Sequence, residues 1–355
     1  MALDEAKMAR YRELADIPLT EHANPRIAAF YQRLVDEDAP LLLDTYAGRE
    51  SFFGAPSSHD LNAMDIAMVG IPMDTSAPLR AGAKFGPAAI RKWSMNHGPI
   101  HSAWDLIPFE MCRIFDYGDI PFSRPHDTAQ SVEDIRNLYS QFREAGITPL
   151  TAGGVHTLSH PIVTGLAGDE PLGLIHIDAH ADTYAGDFQG ESLSDASVFR
   201  NAVLDGAIDP ERTVQIGIRG RSTPYWEFSH ATGMRVITMD EVDEIGLPGV
   251  IAEARQIVGD APCYLTVDCD AVDSCYMPGT QLPEPFGFTS REMLRLVRGM
   301  RGLDIVGADV VELAPDYDPT GTASTLAAGL YFELLTLLSE ARVKRTGQVN
   351  KTSWI

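Results

Sequence analysis

Eight short apolar runs, each followed by an amphipathic or alanine-rich stretch, narrow the fold of this chain more than anything else in its sequence. The runs are Asp65–Ile71, Met111–Phe115, Ile147–Ala152, Leu172–Asp178, Thr213–Ile218, Met234–Met239, Cys263–Asp268 and Asp304–Val311. Helical spacing is read over Pro87–Met95, Ala129–Ala145, Ser197–Asp205, Pro248–Val258, Ser290–Met300 and Thr325–Ala341. Strands rich in Ile, Val and Leu that alternate with helices indicate an α/β fold, a parallel sheet covered on both faces. No repeat, low-complexity tract or Ser/Gly linker divides the chain. Residues 1–60 read as an N-terminal extension with one helix, Pro25–Val35, serving subunit contacts. Residues 61–345 read as the catalytic domain and 346–355 as a C-terminal tail.

Open parallel sheets bind ligands beyond the carboxyl ends of their strands. That rule sorts the polar residues. Gly153–His156 follows one run, Asp178–Asp182 the next and Asp268–Asp273 a third, while Glu312 ends a fourth. In "HIDAHAD", residues 176–182, four polar residues alternate with Ile177, Ala179 and Ala181. Extended backbone would put His176, Asp178, His180 and Asp182 on one face, where burial is costly unless something satisfies them.

His156, Asp178, His180, Asp182, Asp268 and Asp270 together supply four carboxylates and two imidazoles. That mixture suits Mn, Ni, Co or Fe better than a thiolate zinc site. Six ligands exceed what one catalytic ion that also holds water can use. Two divalent ions about 3.5–4 Å apart use them economically, and a hydroxide between such ions is a strong nucleophile near neutral pH. His176 reads as a core or supporting histidine, and Asp273 as a turn or supporting group. Cys269 reads as a small buried strand residue, and His160 and His230 stay unassigned.

The formal net charge of −22, from 50 acidic and 28 basic residues, argues against nucleic acid and anionic membranes and permits a cationic small molecule. No apolar run approaches the roughly 20 residues of a membrane span, and no secretory signal is seen at the N-terminus. Cys112, Cys263, Cys269 and Cys275 lack metal-binding spacing, which reads as a reducing cytoplasm without structural disulfides.

Six stretches carry a family resemblance. They are "GIPMDTSAPLRAGAKFGPAAIR" (Gly70–Arg91), "GGVH" (Gly153–His156), "DAHADTY" (Asp178–Tyr184), "QIGIRG" (Gln215–Gly220), "DCDAVDSCYMPGT" (Asp268–Thr280) and "VVELAPDYDPTGTAS" (Val310–Ser324). From about Asp65 to Ala341 the chain resembles the ureohydrolases, the family of arginases, agmatinases and relatives. The resemblance implies a three-layer α/β/α fold with an eight-stranded parallel sheet, and trimers or hexamers. It implies one metal on His156, Asp178, Asp182 and Asp268, and a second on His180, Asp178, Asp268 and Asp270, with Asp178 and Asp268 bridging. Asp182 would orient the hydroxide, and Glu312 would pair with a guanidinium.

Three departures bear on the metal or the substrate, Val155 on the metal and the others on the substrate. Val155 stands where the family usually has aspartate in GGDH. Asp195, in "SDASVFRNA", stands where the family has a histidine; it reads either as a group facing a second cationic nitrogen or as a helix N-cap. "PGTQLPEPFG" replaces the usual PGTGTPE, so Thr280 and Leu282 join Asp195 and Glu312 as expected substrate contacts. These departures place the chain near agmatinase-like enzymes acting on guanidine or biguanide compounds, with metformin, cleaved to guanylurea and dimethylamine, as the specific expectation; resemblance to that branch implies nickel ahead of manganese. Agmatine, guanidinobutyrate or free guanidine is the alternative substrate. A regulatory or half-active subunit of a heteromeric ureohydrolase is the alternative role. Asp195→His is expected to shift preference toward longer alkylguanidines, read as relative kcat/KM across a substrate panel; an unchanged ranking returns Asp195 to helix capping.

Overall fold

The computed structural model describes residues 4–39, 50–75, 79–184, 193–220 and 226–354; residues 76–78 of the Gly70–Arg91 stretch lie outside them. Each of the eight runs becomes a strand: β1 (Ile66–Gly70), β2 (Ile114–Asp119), β3 (Thr148–Ala152), β4 (Leu172–Ile177), β5 (Ile208–Ile218), β6 (Arg235–Thr238), β7 (Cys263–Asp268) and β8 (Ile305–Val311). They form one sheet in the order β2-β1-β3-β8-β7-β4-β5-β6, with all neighbours parallel. β5 begins earlier than its apolar run because Ile208 pairs with Leu172 ahead of an irregularity at the polar residues that follow.

Helices cover both faces. Gly86–Ser94 (α3), Met239–Val258 (α8), Ser290–Gly299 (α9) and Thr322–Thr346 (α10) enclose one apolar core. Thr128–Ala145 (α4), Ser159–Ala167 (α5) and Val198–Leu204 (α6) enclose the other. Alternation along β4 serves both, with Ile175 and Ile177 in the first core and Leu172 and Leu174 in the second. The chain therefore has the three-layer α/β/α architecture expected of it.

Sequence periodicity does not show α5, because Ile162, Val163, Leu166, Ser159 and His160 bury it on all sides and leave no amphipathic stripe. α8 carries a break at Gly246, in the left-handed region just before Pro248, so its longer segment starts where the spacing places it. Glu5–Ala15 (α1) buries no residue, whereas Pro25–Asp36 (α2) buries Phe30 and Leu34 against its own chain. Glu227–Thr232 (α7) leads into β6.

One expectation needs correction. α10, with 25 residues, is long and apolar enough to cross a membrane, contrary to the reading that no run approaches that length. Its apolar window is 78% buried inside the protein, where it packs on β8, β3, α3 and α9. It is the central helix of its layer.

The last residues close the opposite edge of the fold. Thr352 Oγ1 donates to Cys112 O (2.8 Å) and accepts from Ile114 N (2.9 Å), and Trp354 packs on Phe109. Thr352→Val keeps the shape and leaves both main-chain groups unpaired. It is expected to cost about 1–3 kcal/mol in urea unfolding while leaving divalent-metal affinity unchanged, because the residue sits at the amino end of β2.

Candidate metal centre and active site

The strand order explains why distant segments meet. β3, β8, β7 and β4 are consecutive in the sheet, so Gly153–His156, Glu312, Asp268–Asp270 and Asp178–Asp182 leave four adjacent carboxyl ends. β4 and β7 run in register to Ile177 and Val267, which sets Asp178 beside Asp268.

Both aspartates then bend the chain in the same way. Asp178 Oδ1 accepts from the amide of His180 (2.6 Å), and Asp268 Oδ1 accepts from the amide of Asp270 (2.7 Å). Each is an aspartate turn closed on the residue two positions on. The turns bring His180 and Asp270 together, with Nδ1 3.0 Å from Oδ2. This corrects the picture of a continued strand. β4 ends at Ile177, only His176 is truly on strand parity, and Asp182 has a left-handed backbone, φ 50°.

On the other side, His156 Nδ1 lies 3.1 Å from Asp178 Oδ2, 3.0 Å from Asp182 Oδ2 and 3.2 Å from Asp268 Oδ2. None of the three is aligned as a hydrogen bond, and Nδ1 is buried. One buried nitrogen facing three carboxylate oxygens is the arrangement of ligands around a cation, so the residues present fit divalent metal. Possible ligand atoms group as His156, His176, Asp178 and Asp182, and as Asp178, His180 and Asp270. Asp178 belongs to both groups, the bridging position. Asp268 reaches the first through His156 and touches Asp270 only by its turn. His176 has both ring nitrogens engaged, on Asp178 Oδ2 (2.7 Å) and Gln215 Nε2 (3.1 Å), and serves as a support. Thr266 Oγ1 holds His156 Nε2 at 3.0 Å.

Electrostatics follow from this crowding. Burial and the charges of Asp270 and Asp178 hold Asp268 well above the usual carboxylate range. Burial opposes charge on His156, yet Asp178, Asp182 and Asp268 still raise it well above the ordinary imidazole value. His180 is raised likewise, against burial, by Asp270, Asp178 and Glu284. Asp178 is pulled well below, since His176, His156 and His180 outweigh its burial.

Glu312 also has a left-handed backbone, φ 67°, an arrangement rare in a residue with a side chain. Its Oε1 accepts from His156 N (2.5 Å), while Oε2 is buried without a hydrogen-bond partner among the described residues. Burial, Asp195 and Asp268 raise its pKa well above normal. Asp195 Oδ1 accepts from the amide (3.0 Å) and hydroxyl of Thr157, tying its loop to the turn that bears His156. It is not the N-cap. Ser194 caps that turn in a reciprocal box with Ser197. Thr280 also needs correction as a substrate contact. It is fully buried and donates to Glu312 O (3.0 Å), supporting Glu312 from behind. Asp273 is a turn residue, accepting from Cys275 N, Phe286 N and Gly287 N.

Val155 is buried in the apolar core of the α4–α5 layer, which accounts for an apolar residue there. Gly154 before it is obligatory: a Cβ would lie 1.9 Å from Met73 O. Cys269 is fully buried and its thiol is pushed well up by burial and neighbouring acids.

These groups open into a cavity of about 490 Å³, lined by the polar groups of His156, His180, Asp182, Asp195, Asp268, Asp270, Glu284 and Glu312 together with Leu79, Tyr184, Leu282, Pro283 and Pro285. Sequence reasoning missed Glu284, Thr266 and Gln215. Gln215 opens a stretch quoted for the resemblance and Glu284 lies in the departing stretch "PGTQLPEPFG", but only the three-dimensional contacts show their use.

The chain matches the arginase family model over residues 64–336. A guanidinopropionase of Pseudomonas aeruginosa is 39% identical over 87% of this chain and 99% of its own. An agmatinase of Chromobacterium violaceum is 36% identical, covering 85% and 92%. The solved proclavaminate amidino hydrolase of Streptomyces clavuligerus superposes with TM-score 0.80 at 34% identity, covering 84% of this chain and 99% of that one.

Since His156 and His180 hold protons above their ordinary range and ligation needs neutral imidazole, metal uptake must expel protons. Mn²⁺ affinity is expected to rise with pH, with about one or more protons released per chain between about pH 6 and 8. Calorimetry in buffers of different ionisation heat checks this, and zero release would contradict the geometry.

Proposed function

The chain belongs to the arginase family and is a hydrolase of guanidino compounds acting on C–N bonds, and we propose that its own substrate is a compact cation without a carboxylate, specifically a biguanide. Metformin is the compound meant, hydrolysed to guanylurea and dimethylamine. One observation carries this reading. The cavity lining includes six carboxylates, Asp182, Asp195, Asp268, Asp270, Glu284 and Glu312, and no lysine or arginine among the described residues. With Asp182, Asp268 and Asp270 given to the metals, Asp195, Glu284 and Glu312 remain to meet a delocalised biguanide cation, whereas a guanidino acid would find no lysine or arginine among the described lining residues for its carboxylate.

The family's site takes two divalent ions, and the His/Asp cluster is the one described above. When bound, the ions supply Lewis acidity and a water of lowered pKa. His156, Asp178, Asp182 and Asp268 would hold one, and Asp178, His180, Asp268 and Asp270 the other. Two imidazoles with four carboxylates suit Ni²⁺ or Mn²⁺, and nickel is proposed with the biguanide. Glu312 presents its unpartnered Oε2 to the amidine N–H groups and fixes the cation's plane. Asp195 and Glu284 face the distal nitrogens, and Leu282 the methyl groups. As the water oxygen bonds to the carbon bearing the dimethylamino group, Asp182 takes its proton. The C–N bond to that group then breaks and the proton leaves with dimethylamine.

The proposal includes a reducing cytoplasmic setting, consistent with four free thiols. It also includes assembly as trimers or hexamers, alone or with a related chain, with α1 available for contacts.

The test is a panel of metformin, agmatine, guanidine, 3-guanidinopropionate and 4-guanidinobutyrate on the metal-analysed chain loaded with Ni²⁺ or Mn²⁺. Metformin is expected to lead in kcat/KM, with dimethylamine released. A lead for either acid would overturn the proposal. A lead for agmatine would keep the cationic substrate and remove the biguanide. Full metal occupancy without turnover, rescued by a related chain, would move the protein to a heteromeric enzyme. Asp268→Ala is expected to reduce any turnover to background, and near-normal turnover would contradict a two-metal site.

A further inference from the structure

Arg219 stands beside the centre and, among the described residues, makes no hydrogen bond to a carboxylate oxygen. Its guanidinium has five N–H groups, and five main-chain carbonyls receive them. Nε donates to Pro285 O (2.9 Å). Nη1 donates to Gly217 O (3.2 Å) and Ala271 O (3.3 Å). Nη2 donates to Asp270 O (2.7 Å) and Glu284 O (3.0 Å). Two of these carbonyls belong to the turn that carries Asp270. Two belong to the loop that carries Leu282 and Glu284 to the cavity. The fifth ends β5.

We infer that Arg219 is a positioning residue that locks the substrate-facing loop, residues 281–287, to the turn bearing the ligand Asp270. On that side the loop is also met by Ser274 N, which donates to Glu284 O (3.3 Å), and by His180 Nε2, 3.4 Å from Glu284 Oε1, but Arg219 alone joins it to both the Asp270 turn and β5 among the described residues. Its opposite edge is held by Asp273 Oδ2, which accepts from Phe286 N (2.6 Å) and Gly287 N (3.2 Å). Phe286 is 83% exposed with φ 64°, so the conformation is not driven by burial of that side chain. Close approach at Gly287 admits the guanidinium: a Cβ there would lie 2.3 Å from Nη2. Lysine, with three N–H donors on a single point, cannot reach both segments and β5 at once. With every N–H engaged, Arg219 also offers nothing to a substrate carboxylate, in keeping with the acidic cavity.

The inference concerns substrate positioning in the site proposed above, and its test has a readout independent of turnover. Hydrogen exchange is compared in wild type, Arg219→Lys and Asp273→Asn, with and without Mn²⁺. In Arg219→Lys, exchange over residues 281–288 and 268–273 is expected to quicken by about tenfold while the rest of the sheet is unchanged. In Asp273→Asn only residues 281–288 should quicken, and this variant tests the loop should Arg219→Lys fail to fold. With saturating metal, Arg219→Lys should raise KM for the best panel substrate about tenfold and hold kcat within about threefold. Unchanged exchange in 281–288, quickening spread over the whole chain, or loss of kcat at constant KM would each overturn the inference. A wild type that turns over no panel compound would defeat the functional proposal, while the exchange comparison would still decide the role of Arg219.

Discussion

Like charge crowded at one edge of the sheet is the constraint around which this structure is arranged. At an effective dielectric near 20, two carboxylates 4 Å apart repel by about 4 kcal/mol, and several acids here share one buried space. The chain manages them with its own amides. Asp178, Asp268, Asp270, Asp195 and Glu312 each spend one oxygen on a main-chain N–H, from His180, Asp270, Ala179, Thr157 and His156 in turn. Each acid is thereby fixed in direction before any ligand arrives. Such preorganisation makes the site strongly attractive to cations, because the chain has already met the cost of ordering the acids.

Much of this was legible in the sequence, for particular reasons. The eight runs announced their strands because a parallel sheet buried on both faces is built mainly from Ile, Val and Leu, with the few buried polar residues, such as His176, Gln215 and Thr266, paired with one another or with the site. The ligand residues were legible because open sheets concentrate chemistry at the carboxyl ends of their strands. The way the turns work was not. Alternation in "HIDAHAD" resembles a strand that continues, yet Asp178 closes on the His180 amide and stops it. An aspartate competing with the ladder for an amide leaves no trace in periodicity. α5 was hidden for the opposite reason, being too uniformly apolar to show a face.

The substrate side was less legible still. Thr280 looked like a contact because of its place in the motif, but its hydroxyl faces the carbonyl of Glu312. Asp195 looked equally like a cap until Ser194 was seen in that role. Glu284 and Arg219 sit in recognisable stretches whose use depends on segments more than 50 residues away, such as Arg219 on Asp270 and Glu284. Side chains that act through distant backbone carry no local signature.

The sheet order has a consequence for synthesis of the chain. β8, the last strand made, lies between β3 and β7. Until about residue 311 leaves the ribosome, β2-β1-β3 and β7-β4-β5-β6 are two separate ribbons, each with an unpaired edge of the kind that invites wrong pairing. The final strand zips them together and delivers Glu312 in the same act. A nascent chain shorter than that carries Asp178, His180, Asp182, Asp268 and Asp270 on one piece and His156 on the other, so the group built around His156 is incomplete.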